Sequence, residues 1–348
     1  REKKKPFFCV APMADVTDAA FRRMLVKYGK PDVVWTEFVS ANGLMSPGRE
    51  VLQKDLLYTE GERPIVAQLF SSDPEKMEGA ARLCAQLGFD GIDINMGCPD
   101  KTIEKQGAGA AMIKTPQRAL EIIAAAKRGA PNLPISVKTR VGYNSVQIEN
   151  WIPLLLSADI AALSVHVRTR KELSLVPAHW ELMKKVVELR DWLAPQTVII
   201  GNGDVTSLAD AREKAKTSGC DGVMIGRALF GNPWFFDEDR GMVAALPKKQ
   251  PEWIRKTFLR KFFDTKRTAA QSRIAPIAPH ERLMMMIEHC RLFEALLGDV
   301  KPFAIMKKHF KAYCNGFAGA KELRVKLMET RSASEVREIV DDFLLTKK

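Results

Sequence analysis

The stretch PIVAQLFSSDPEKMEGAARLCAQLGFDGIDIN, residues 64–95, decides the fold. It opens on a nearly continuous apolar run, PIVAQLF (64–70). It then enters PEKMEGAARLCAQLG (74–88), where apolar residues recur at helical spacing and a glycine closes the segment. A second strand-like run, DGIDIN (90–95), follows. Strand, helix and strand in this order predict a parallel pair with its crossover. Strands that are apolar throughout are buried on both faces.

The alternation continues in both directions. FFCVA (7–11), DVVWT (32–36), PISVKT (134–139), IAALSVH (160–166), TVIIGN (197–202) and DGVMIG (221–226) bring the expected strands to eight. Helix-like segments such as PQRALEIIAAAKRG (116–129) lie between them. Eight such units over about 240 residues suit an α/β chain folded as a (β/α)₈ TIM barrel. An open doubly wound sheet is the runner-up, disfavoured because no GxGxxG lies near the first strand.

After LFGNPWFF (229–236) the pattern changes. DEDRGMVAALPKKQPEW (237–253) reads as a linker, and from 252 onward no clear strand is seen. WIRKTFLRKFF (253–263), ERLMMMIEHCRLFEALLG (281–298), PFAIMKKHFKAYC (302–314) and ASEVREIVDDFLL (333–345) follow helical spacing. The expected organisation is a catalytic barrel over 1–244 and an all-α helical bundle over 245–348.

The totals agree with two domains. The chain has 348 residues, 46% of them hydrophobic, more than one ordinary domain needs. No run of eighteen apolar residues exists, so no membrane span is expected. REKKKPFF (1–8) leads into FFCVAPM without a signal-like apolar stretch and is read as the start of the fold. The six cysteines form neither a CxxC pair nor a zinc-like spacing, so no metal is expected, and a reduced, cytoplasmic protein is. The net charge is +12, and its placement matters more than its size. Residues 1–244 carry 32 Lys and Arg against 30 Asp and Glu. The remaining 22 basic and 12 acidic residues leave the tail at +10. A concentrated basic balance suggests a polyanionic partner, against the plainer alternative of a solvated basic surface.

In a barrel, chemistry sits at the carboxyl ends of the strands. Six consecutive strands place unusual polar residues there: Gln68; Asn95, then Cys98; Lys138 and Arg140; His166 and Arg168; Asn202, Gly203 and Asp204; Gly226 and Arg227. GNGDV (201–205) and IGRALFGNP (225–233) put glycines before a helix start after the last two strands, an anion-binding arrangement to which Arg227 adds donors. Two ordinary tight turns are the alternative. Lys138, at an apolar strand end, needs an anion or a polarised carbonyl. His166, with Arg168 and Arg170 nearby, suits an anion. Cys98, in INMGCPDK (94–101), is poorly placed for a core residue and has three readings: a packing thiol, a nucleophile or a proton donor.

Together these residues resemble the tRNA-dihydrouridine synthase family, in its bacterial form without a zinc finger. The likeness runs through APMADVTDAAFR (11–22), AQLF (67–70), DINMGCPDKTIEKQGAGAAMI (93–113), KTR (138–140), HVRTR (166–170), GNGDV (201–205), IGRALFGNPW (225–234) and KKHFKAYC (307–314). The resemblance implies a flavoprotein holding FMN tightly, with NADPH as reductant, that reduces the uracil 5,6 double bond in tRNA. It further implies that Pro12, Met13 and Ala14 line the flavin and that Gln68 bonds its ring. Lys138 would meet the N1/O2 edge. His166, Asn202, Gly203, Asp204, Gly226 and Arg227 would hold the ribityl chain and phosphate. Asn95 would place flavin or uracil, and Cys98 would be the general acid.

Arg140, Arg168, Arg170, Lys307, Lys308, His309 and Lys311 are the expected tRNA contacts, and a monomer is expected. A small-molecule flavin reductase and a non-catalytic RNA-binding barrel are the competing readings. Two departures stand out: Val167 where many relatives have glycine, and the apolar stretch LSLVPAHW (173–180).

Overall fold

The computed structural model describes residues 6–238 and 277–346. Its strands are β1 (Phe7–Val10), β2 (Val34–Ser40), β3 (Ile65–Phe70), β4 (Gly91–Met96), β5 (Ile135–Arg140), β6 (Ala162–His166), β7 (Val198–Asn202) and β8 (Gly222–Ile225). All eight expected strands are present. They pair in parallel in the order β1-β8-β7-β6-β5-β4-β3-β2. A bridge between Cys9 and Val33 joins the two edges. Val10 N donates to Val33 O at 3.3 Å and Asp32 N to Phe8 O at 2.9 Å. The sheet therefore curls into a TIM barrel.

In the barrel portion the described α-helices are α1 (Ala19–Gly29), α2 (Ala41–Leu44), α3 (Arg49–Gln53), α4 (Pro74–Gln86), α5 (Lys101–Lys105), α6 (Pro116–Gly129), α7 (Ile148–Leu156), α8 (Glu181–Leu193) and α9 (Leu208–Ser218). The opening stretch shows why they form. Asp73 caps α4 by accepting from Glu75 N and Lys76 N, and Pro74 fills the first turn, where no N–H is needed. Met77, Ala80, Ala81 and Cys84 make its buried face.

Strand β2 runs four residues past the expected end, because its register shifts between Trp35 and Phe38. Such a bulge leaves Glu37 off the ladder. Inside the barrel, Phe7, Cys9, Ala11, Trp35, Val66, Ile200 and Met224 form the apolar lower layer. Polar side chains fill the layer above it, toward the carboxyl end.

The tail adds α10 (Pro279–Leu297), α11 (Lys307–Tyr313), α12 (Ala320–Leu327) and α13 (Ala333–Leu345). Three of these lie in expected helical segments and α12 was not anticipated. The helix expected at 253–263 and the boundary at 244/245 lie outside the described residues. Helix α1 serves two cores at once. Phe21 and Leu25 pack in the barrel. Ala20 and Met24 pack with Trp234 against tail residues Met286, Phe293 and Phe310. Full burial of such a side chain contributes about 1.5–3 kcal/mol. None of the described helices is long and apolar enough to cross a membrane.

Candidate active site

At the carboxyl end of β4, Asn95 folds its own loop. Its Oδ1 accepts from Gly97 N at 3.1 Å and Cys98 N at 2.9 Å. The Gly97 carbonyl takes Arg140 Nε at 2.8 Å. The Cys98 carbonyl takes Ala110 N at 2.9 Å. The GAG segment makes that last contact possible. Gly109 has φ +61°, and a Cβ there would lie 2.8 Å from the Cys98 oxygen. The loop is thus tied at three points, leaving the Cys98 thiol half-buried beside Phe38, Phe70, Ile103 and Ala108. Burial pushes that thiol above its ordinary pKa, so it keeps its proton at neutral pH.

Behind the loop lies a polar chain. Asn95 Nδ2 donates to Gln68 Oε1 at 3.1 Å, and Gln68 Nε2 donates to Asp93 at 2.5 Å. Ser136 Oγ reaches the other Asp93 oxygen at 2.5 Å. Asp93 is fully buried, and burial raises its carboxyl to about 6 against these hydrogen bonds. Asp93 and Ser136 were not among the expected site residues. A charge inside an otherwise apolar strand, DGIDIN, was the signal available for Asp93.

A cationic group occupies the ends of β5 to β8. Lys138 Nζ donates to Asn202 Oδ1 at 3.3 Å, and Asn202 Nδ2 to Met224 O at 2.8 Å. Burial, then neighbouring Arg140, pulls the Lys138 ammonium down to about 8. Burial first, then Arg140, Lys138, Arg168 and Arg227, holds His166 well below its usual value, so the ring is neutral. Arg168 Nη1 lies 3.1 Å from His166 Nε2. A guanidinium only donates, so Nε2 accepts and Nδ1 carries the proton.

Asp204, at φ +46°, follows Gly203 at φ +139°. Its carboxylate is shared by Arg168 and by Arg227 Nη2, the latter at 2.5 Å. Asp204 therefore orders the arginines. Directly after β8, among the described residues, stands a three-residue 3₁₀ turn, Arg227–Leu229, where a helix start was expected. Near β1, Pro12 is buried, Met13 half-buried and Ala14 exposed. Met13 N donates to Thr17 Oγ1 at 2.9 Å, which fixes this turn. A Cβ on Gly226 would lie 3.4 Å from Met13 Sδ.

Three arginines expected at RNA are committed elsewhere. Arg140 is buried, and its Nη1 donates to Thr169 O at 3.1 Å and Leu173 O at 3.0 Å. Arg168 is 2% exposed and donates from Nε to Val176 O at 2.7 Å. Arg170 grips Glu104 of α5, with Nε 2.9 Å from both carboxylate oxygens. These bonds also account for the 173–180 stretch. Its carbonyls bind Arg140 and Arg168, Ala178 N donates to Asp204 at 2.9 Å, and Trp180 Nε1 donates to Gly203 O at 2.7 Å. Val167 is fully buried in the main core.

In the tail, Lys311 is exposed. Lys307 donates to Met328 O at 2.5 Å and Lys308 to Asp15 at 3.0 Å. His309 corrects the expectation of a phosphate contact. It is fully buried against Phe21, Phe230 and His289.

Comparison with known proteins agrees with this geometry. The family model described as "Dihydrouridine synthase (Dus)" matches residues 9–347. A protein of Bacillus subtilis (strain 168) named "Probable tRNA-dihydrouridine synthase 2" is 39% identical over 345 residues, covering 99% of this chain and 95% of the relative. A "Probable tRNA-dihydrouridine synthase" of Staphylococcus aureus (strain COL) is 38% identical, covering 98% and 94%. The solved structure of histamine dehydrogenase from Rhizobium sp. 4-9 shares the fold, with TM-score 0.51 and 12% identity over 66% of this chain and 45% of that one. With the model and both relatives spanning nearly its whole length, the chain belongs to the dihydrouridine synthase family.

Proposed function

We propose that the chain is a flavin-dependent tRNA-dihydrouridine synthase, reducing the C5=C6 bond of specific uridines in tRNA with NADPH as electron source. One observation carries the proposal: a protonated, half-buried thiol on a triply tied loop shares the barrel mouth with a cationic cluster around a neutral histidine. The residues present fit FMN. Arg227, 61% exposed, and the protonated Nδ1 of His166 would hold its phosphate beside Gly203 and Gly226, where a side chain would fill the space. Lys138 would meet the pyrimidine edge of the ring. Beside it on β6, Ser164 Oγ is buried without a hydrogen-bond partner, a polar atom that a ligand can satisfy. Pro12, Met13 and Ala14 would line the ring, and Gln68 keeps one N–H to offer it.

FMN held there would supply the hydride for C6 of the uracil. Cys98 gives a proton to C5, for which an ionised carboxylate would be useless. Asn95, Arg140 and the Ala110 amide hold that thiol in place. The uracil must leave its stack to reach the site. The basic tail, 245–348, is read as the RNA-binding domain beside a catalytic domain over 1–244, and Lys311 as a phosphate contact. A cytoplasmic monomer is the form this substrate suits.

The test uses purified protein and unmodified tRNA. The wild type should be yellow with FMN, bleach with NADPH and form dihydrouridine. Cys98→Ala should keep FMN, NADPH-dependent bleaching and tRNA affinity while losing most dihydrouridine formation. Full turnover by that variant rules out the acid role, and a colourless wild type rules out the flavin.

A further inference from the structure

We infer that Lys301, from the tail, is a positioning residue for the flavin-binding turn of the barrel. The inference rests on the FMN assignment above and adds to it a residue from the other end of the chain. It begins at the β2 bulge. Thr36 Oγ1 accepts from Gln68 N at 3.0 Å and donates to Glu37 O at 2.7 Å, filling the gap in the ladder. Glu37, displaced from the ladder and 4% exposed, turns its carboxylate to Asp15, whose backbone N–H donates to Oε1. Asp15 adopts φ +52°, a conformation its surroundings must hold. It directly follows Met13 and Ala14.

Lys301 lies just beyond α10 and reaches into this pocket, 13% exposed. Its Nζ is 2.8 Å from Glu37 Oε2, 2.7 Å from Asp55 Oδ1 and 3.9 Å from Asp15 Oδ1. Two nearly buried carboxylates this close to one ammonium depend on it. Burial already raises Glu37 to about 7 with Lys301 beside it, and without the cation burial and Asp55 would push it higher and hold a proton on it. Glu37 would then be a weaker acceptor, and the turn that carries Met13 and Ala14 would loosen. Among the other described ion pairs between tail and barrel, Lys308–Asp15 also touches this turn, at 3.0 Å, but from the surface. Lys27–Glu288, Lys54–Asp299 and Lys308–Asp15 are all exposed at both ends, where pairs contribute little. Lys301 thus links the helical tail to the geometry of the cofactor site.

The experiment compares FMN binding to apo-protein, by flavin fluorescence quenching, for the wild type, Lys301→Met, Lys301→Arg, Glu37→Gln and Lys54→Ala, with thermal unfolding recorded for each. Lys301→Met should fold and weaken FMN by about tenfold, within the usual range for coupled sites. Lys301→Arg should restore most of the affinity, and Lys54→Ala should bind as the wild type does. Glu37→Gln, which keeps an acceptor but drops the charge, should also weaken FMN, and it carries the measurement if Lys301→Met fails to fold. Wild-type affinity in a folded Lys301→Met, or in Glu37→Gln where Lys301→Met does not fold, or equal weakening in Lys54→Ala, overturns the inference alone. A wild type that takes up no FMN overturns the flavin assignment and this inference with it.

Discussion

Arg140→Met separates a strut from an RNA contact. Arg140 donates to Gly97 O at 2.8 Å, Thr169 O at 3.1 Å and Leu173 O at 3.0 Å. Hydrogen bonds from a charged donor contribute about 1.5–3 kcal/mol each, so three could reach about 5–9 kcal/mol. Against this stands the cost of a buried guanidinium. Burial pulls Arg140 from its usual 12.5 to about 10, an opposing penalty of about 3 kcal/mol. Arg140→Met should therefore destabilise the protein by about 2–6 kcal/mol, read from urea unfolding of the FMN-loaded enzyme. The freed Gly97 carbonyl should slow dihydrouridine formation while FMN stays bound. The salt dependence of tRNA affinity should not change. A phosphate contact would do the reverse: unfolding unchanged within about 0.5 kcal/mol, and the logarithmic salt slope reduced by about 0.7–0.9. That second pattern would refute the strut.

Two further predictions test the loop and the tail. Gly109→Ala meets a left-handed backbone and the Cys98 oxygen at 2.8 Å, so it should cost about 2–4 kcal/mol and abolish dihydrouridine formation with FMN retained. Gly107→Ala, also at positive φ but with its nearest neighbour the Ser72 side chain at 3.4 Å, should cost only about 1–2 kcal/mol in urea unfolding. Burial, then nearby Lys308, lowers the folded-state pKa of His309 from 6.5 to about 3. The unfolded chain therefore takes up a proton that the folded one refuses. Stability is full above pH 6.5 and falls with pH below it, by about 2 kcal/mol at pH 5 from this residue. His309→Phe should flatten part of that slope in urea unfolding at pH 5 and 7 and leave tRNA affinity unchanged. His289, depressed in the same way, keeps the remainder.

The barrel was legible because each βα unit is a local pattern. PIVAQLF and DGIDIN are apolar throughout, and the helix between them carries its own cap in Asp73 and Pro74. The positions of Gln68, Asn95, Cys98, Lys138, His166 and Asn202 were legible for a related reason, since a strand's carboxyl end is fixed once its period is known. Helix α12 was missed because AKELRVKL offers only Ala320, Leu323 and Leu327 to the core, and its cap is a glycine at φ +80°. The Glu37–Lys301 pair left no local trace. Its partners stand 264 positions apart, and the bulge that turns Glu37 toward Asp15 follows from the pairing of two strands.

The arginines show why charge at a strand end is ambiguous. Arg140, Arg168 and Arg170 stand at strand ends where an anion would bind, and all three are expected tRNA contacts. The segment from Val167 to Trp180 changes that assignment. It crosses the mouth without regular helix or strand, so its carbonyls lack ladder partners and must find donors elsewhere. Arg140 serves Thr169 and Leu173, and Arg168 serves Val176. Arg170 anchors the segment to α5 through Glu104, next to the Cys98 loop. The same guanidinium chemistry that would recognise phosphate is here spent on backbone oxygen and carboxylate. An irregular loop over a catalytic mouth creates that demand, and only the folded path of the chain shows which cations meet it.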